Sequence, residues 1–141
     1  MDKLIEEISI EKEYIAETLK FLDEALNRSE KTAIELSAIG SFLHHSFTGM
    51  ENILKRILKF KRIKVAESAS SHKDLLNIVV DEGIISQELS DNLDKYRGFR
   101  HFFVHAYGIM LNKEELEPLA ENLPTVWNQF EREIENYIER L

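Results

Sequence analysis

The chain has 141 residues, 43% of them hydrophobic, with 18 lysines and arginines against 26 aspartates and glutamates and a formal charge of -8. That is enough for one domain with a real core, here residues 1–141, and nothing in it reads as a linker between two. The absence of cysteine excludes disulfides, thiolate metal sites and a cysteine nucleophile, and the negative balance argues against a general nucleic-acid binder, which uses excess cations to displace counterions.

The opening Met-Asp-Lys-Leu-Ile-Glu-Glu lacks the basic start and apolar core of a signal peptide, and no apolar run approaches the ~20 residues that span a bilayer, so a cytoplasmic protein with no membrane partner is expected. Ile8, Ile15, Leu19, Leu22 and Leu26 then fall on one face of a first helix. A second helix starts near Ser29 to Lys31, carries Leu43, Phe47, Met50, Leu54 and Ile57 at alternating spacings of four and three, and runs to about Lys64. Gly40 and Gly49 interrupt it at a propensity cost of roughly 1 kcal/mol each relative to alanine, for which close packing against another helix, within the chain or across a dimer, would compensate. Its end is basic: residues 55 to 64 hold six cations and no acid. Lys55, Arg56, Lys59 and Arg62 are therefore candidates for holding an RNA strand locally, against the alternative of a solvated helix end whose cations complement the dipole.

A serine-rich break over Glu67 to Ser71 follows, with Ser70 or Ser71 as N-cap of a third helix from about His72 to Asp81 that Gly83 ends. Ser86 caps a fourth helix, with Glu88 in its first turn and an apolar stripe of Leu89, Leu93, Tyr96 and Phe103. The heptad positions between and after are Arg100 and Tyr107, polar residues on what should be an apolar seam, which points to a cleft or a subunit interface. Gly108 suits the stop, and Asn112 caps a last helical region carrying Leu116, Leu119, Leu123, Trp127, Phe130, Ile134 and Leu141, which Pro118 and Pro124 are expected to divide or kink. With no alternating strand pattern and no repeat, the expected fold is all-α, an up-and-down bundle of four or five helices.

The chemistry concentrates in Tyr96-Arg-Gly-Phe-Arg100-His101-Phe-Phe-Val-His105-Ala-Tyr107-Gly108. Arginine offers a fixed cation with a planar donor fork suited to phosphate, and histidine exchanges a proton near neutral pH, so a phosphodiester is the substrate class these residues suggest. Arg100-x4-His105-x-Tyr107, together with Phe-Thr-Gly-Met-Glu-Asn-Ile-Leu-Lys-Arg-Ile at 47 to 57 and Ser-His-Lys-Asp-Leu-Leu at 71 to 76, resembles a HepT-like protein, a HEPN-domain ribonuclease toxin paired with a MntA-type minimal nucleotidyltransferase antitoxin in a type VII toxin-antitoxin module.

The resemblance implies a homodimer in which two such segments line a composite cleft, and metal-independent, cofactor-free cleavage of RNA. His105 would take the proton of a ribose 2′-hydroxyl, Arg100 would hold the phosphate and stabilise its developing charge, and His101 would support either of them. Tyr107 matches the tyrosine to which the partner adds AMP, a bulky anion that would block the cleft. Glu51 and His72 lie in the other matching stretches and read as helix-cap or interface residues.

On an ideal helix Arg100 and His105 point about 140° apart, whereas Arg100 and Tyr107 share a face, so the motif makes better sense across a two-fold axis. The residues alone leave alternatives: a buried ion pair between Arg100 and a carboxylate such as Glu51, a core-facing His105 and a packed Tyr107. A metal enzyme using His101 and His105 with His44, His45 and His72 is a chemical rival, without a Glu-x-x-His pair to support it. The non-enzymatic rival is a helical dimer that only binds a nucleotidyltransferase.

Overall fold

The computed structural model describes residues 1–65, 71–104 and 111–141. Among the described residues the chain forms five helices, α1 (Asp2–Leu26), α2 (Ala33–Phe60), α3 (Ser71–Asp81), α4 (Gln87–Phe102) and α5 (Lys113–Glu139), and no strand. The expected Ser70 cap and Gly108 stop lie outside the described residues; Ser71 is the first residue of α3.

Helix α2 is the central element because its sequence is apolar over much of its circumference: Ile39, Leu43, Phe47, Met50, Ile53, Leu54, Ile57 and Leu58 are all buried. Full burial of one such side chain stabilises by about 1.5–3 kcal/mol, so this row dominates the core. Helix α1 lies antiparallel along it, since Glu7 meets Arg56, Glu11 meets Asn52 and Phe21 stacks on Phe42. The contact is close because Gly49 has no side chain; a Cβ there would stand 2.6 Å from Ile15 Cγ1. Gly40 serves α4 in the same way, with a prospective Cβ 2.9 Å from the Phe103 ring and 3.0 Å from Leu111. The compensation expected for both glycines is therefore supplied within the chain.

Helix α5 runs antiparallel to α1 and α4: Lys12 pairs with Glu131 and Glu135, the Tyr96 hydroxyl donates to the Leu119 carbonyl at 2.7 Å, and the Ser86 hydroxyl donates to Glu133 at 2.9 Å. Ser86 and Asn112 cap their helices as read from sequence, accepting from the Leu89 and Glu114 amides. The cap of α2 falls one residue later than expected, at Thr32, where a Thr32–Glu35 capping box forms.

Two expectations need correction. Helix α2 stops at Phe60 rather than Lys64, because Arg62 turns left-handed (φ 60°) and its amide and that of Ile63 bond back to Lys59 and Leu58. This is a Schellman closure, and α3 ends by the same device at Gly83 (φ 71°), where the Gly83 and Ile84 amides bond to Val80 and Val79. Helix α5 is not divided: it runs unbroken through Pro118 and Pro124, both of which face solvent, where water can satisfy the carbonyls that each missing N–H leaves over. Leu141 lies past its end and is 46% exposed, outside the core stripe.

Candidate active site

Three helices bring together residues that sequence spacing kept apart. Glu51 sits in the middle of α2 and is 2% exposed, so it is a buried carboxyl that needs a hydrogen-bond partner. His72, the second residue of α3, supplies it through Nδ1 at 2.6 Å. The other ring nitrogen, Nε2, stands 3.1 Å from Nη1 of Arg100, near the end of α4. A guanidinium can only donate, so His72 Nε2 accepts, and the imidazole proton is assigned to Nδ1, which donates to Glu51. Arg100 is thus joined to Glu51 through a neutral imidazole, where the sequence offered a direct ion pair as the alternative.

The placement of His72 follows from its neighbour. Lys73 pairs with Asp94 at 3.4 Å, and Asp94 also accepts from Arg97 Nε at 2.6 Å, which ties the start of α3 to α4 nearly two turns before Arg100. The Arg97 hydrogen bond first, then the charges of Arg97 and Lys73, hold the Asp94 carboxyl below its ordinary value against the opposing effect of burial.

On the α2 side, the His44 ring lies 5.8 Å from that of Phe103 and 5.4 Å from that of His45, tilted against both. Burial, then the charges of Arg100 and His45, lower its pKa below the ordinary 6.5. Two buried nitrogens here, His44 Nδ1 and Arg100 Nε, have no hydrogen-bond partner among the described residues. Phe102 and Val104, beyond Arg100, are 38% and 51% exposed.

His72 also forms part of the wall of an open groove of about 870 Å³, lined by Lys55, Lys59, Arg62, Lys64 and Ser71 over an apolar floor that includes Leu58 and Leu75. Of the basic residues singled out from sequence, Lys55, Lys59 and Arg62 meet at this groove. Arg56 does not: it is turned to α1, 2.8 Å from Glu7 and 3.5 Å from Glu11. Arg100 lies beside the groove through His72, and His101 is exposed on the neighbouring face of α4. His105 and Tyr107 lie outside the described residues. Among the described residues no three His, Asp or Glu side chains form a group that could hold a metal ion, and no helix is long and apolar enough to cross a membrane.

Sequence reasoning placed Glu51 and His72 in matching stretches but gave them no chemistry. Glu51 is no cap, since it lies mid-helix. The available signal was a carboxylate on an otherwise apolar face of α2, between Met50 and Ile53, a position where a charge is retained only with a partner.

The fold matches that of YutE, a cytosolic protein of unknown function from Bacillus subtilis, with a TM-score of 0.65 at 22% identity over 92% of this chain and 91% of that one. A curated protein of Archaeoglobus fulgidus, named "Putative RNase", is 27% identical over 129 residues, covering 92% of this chain and 91% of its own. The family model described as HepT-like protein matches residues 38–141, a span that takes in most of α2, Glu51, His72 and the whole Arg100-x4-His105-x-Tyr107 motif. The chain belongs to the HepT-like protein family.

Proposed function

We propose that this protein is the ribonuclease toxin of a HEPN-type toxin-antitoxin module, cutting RNA internally without a metal ion. The observation that carries the reading is the placement of Arg100: a cation fixed by a hydrogen bond to His72, whose ring also lines a groove bearing four further cations. A guanidinium so held is suited to a phosphate arriving along that groove. Membership of the HepT-like family and the name of the Archaeoglobus relative support the same activity.

In this reading His105 removes the proton of a ribose 2′-hydroxyl. The freed oxygen bonds to the adjacent phosphorus, the bond from phosphorus to the 5′-oxygen breaks, and that oxygen leaves as a 5′-hydroxyl after gaining a proton, so the other end is a 2′,3′-cyclic phosphate. Arg100 stabilises the charge that develops on the phosphate oxygens. A second copy of the chain completes the cleft, and the exposed Phe102 and Val104 give apolar surface beside Arg100 for that contact. The partner is a MntA-type nucleotidyltransferase: the Tyr107 hydroxyl oxygen bonds to the α-phosphorus of ATP, pyrophosphate leaves, and the attached AMP covers the site.

Incubation of the purified, partner-free protein with RNA in excess EDTA, beside His105→Ala, tests the reading. Cyclic-phosphate and 5′-hydroxyl ends from the wild type alone are the expected result; cleavage by His105→Ala at the wild-type rate would sink it. Absence of cleavage by either, with Tyr107 unmodified by intact mass, favours a binding module instead. For the inhibition step, Tyr107→Phe should stay active with the partner and ATP present.

A further inference from the structure

We infer that His72 and Glu51 are positioning residues that fix the orientation of the Arg100 guanidinium while leaving its charge available to the phosphate. The inference rests on the ribonuclease reading and specifies how its cation is held. Three observations carry it. The only hydrogen bond of the Arg100 head among the described residues is the one to His72 Nε2, and its Nε is buried without a partner, so the plane of the fork depends on that imidazole. The ring is in turn held by the 2.6 Å bond from Nδ1 to Glu51. Glu51 is itself fixed, being 2% exposed in the middle of the longest helix.

The interposed ring has a specific consequence. A carboxylate in direct contact with Arg100 would neutralise the fork and occupy the donors that a phosphate needs. With the imidazole between them, Glu51 is a full ring-width further away, and among the described residues only Nη1 is engaged. The Nη2 group of Arg100 is left for substrate, while Nε is buried. The arrangement requires His72 in one form, with its proton on Nδ1: a proton on Nε2 would point at an Arg100 N–H and break the contact. His72 thus connects two places, the wall of the basic groove on one side and the phosphate-holding arginine on the other.

Because positioning residues act through Arg100, their loss should lower kcat more than it weakens binding of RNA. His72→Leu, at a half-buried position that tolerates the change, is expected to reduce kcat by up to about a hundredfold with KM within about twofold. His72→Gln, whose amide oxygen can accept from Arg100 while its NH2 donates, is expected to recover a large part of that loss. Nitrogen-15 NMR of the folded wild type is expected to show the His72 proton on Nδ1. Unchanged kcat in a folded His72→Leu protein, a His72→Gln variant no better than His72→Leu, or a proton on Nε2 would each overturn the inference. Arg100→Ala separates it from the reading on which it rests. If Arg100→Ala loses cleavage while His72→Leu keeps it, the positioning role fails and the ribonuclease stands; if Arg100→Ala itself cleaves normally, the ribonuclease reading fails.

Discussion

Two sets of cations drawn from the same ten residues end up in different parts of the molecule. Arg56 is committed to the fold, bridging α2 to Glu7 and Glu11 of α1, and Lys61 likewise reaches Tyr137 at 2.6 Å and Glu82 at 3.5 Å. Lys55, Lys59, Arg62 and Lys64 make no ion pair among the described residues and line the groove beside His72. The division follows backbone geometry: Lys55 and Lys59, four apart in α2, share a face, and the turn after the helix brings Arg62 to the same groove, whereas Arg56 is rotated by about 100° toward α1. Counting charges in a basic stretch therefore overstates what is available to a polyanion. A cation with a carboxylate partner has already exchanged its solvation for an internal contact, and its value is in stability.

That comparison makes opposite demands on stability and activity. The largest effect should come from replacing Lys55, Lys59 and Arg62 together by alanine: KM for RNA should rise by about tenfold or more at low salt. The slope of log affinity against log salt should shrink by about two, because each cation that neutralises a single-strand phosphate accounts for ~0.7 of it. The melting temperature should hardly move. An unchanged salt slope in a titration series would remove the groove from the substrate path. Arg56→Ala should behave in reverse, losing about 1 kcal/mol in urea unfolding with KM within about twofold, since partly exposed pairs contribute modestly. A salt slope reduced by that single change would return Arg56 to the substrate side.

The smallest effect concerns His44, which senses the Arg100 charge from the scaffold side. Its pKa is lowered in the folded state, so its neutral form contributes stability that is present above 6.5 and is lost as pH falls through the folded value. The urea midpoint of the wild type should decline from about pH 7.5 to about pH 5.5 more than that of His44→Gln. Equal declines would show that the histidine does not contribute.

Much of the framework was legible because it is local. Ser86 and Asn112 announce their helices by side-chain caps, Gly83 closes α3 because glycine accepts a positive φ, and the spacing of Leu43, Phe47, Met50, Leu54 and Ile57 identifies the buried face of α2. The motif arginine was also legible, through its family resemblance. The chain from Glu51 to His72 to Arg100 was not, because its links span 21 and 28 residues across three helices, and no periodicity relates them. Nor was the early end of α2, since the Schellman position is filled there by Arg62 rather than glycine. The unbroken α5 shows tertiary packing overriding a local rule: Ala120, Leu123, Val126 and Trp127 are buried around the prolines and keep that face seated on the core.

Arg62 holds a backbone conformation that costs an L-residue about 1–2 kcal/mol and costs glycine far less. At the matching position of α3 the chain uses glycine, so both solutions exist within one molecule. The strained turn also directs the chain at Ile63 back toward the core while Arg62 lines the groove. Relaxing it with glycine would relieve the backbone and remove a charge in the same step, so this position sets thermal robustness and the hold on a polyanion against each other, and a more heat-resistant version of the protein obtained there would be a weaker binder.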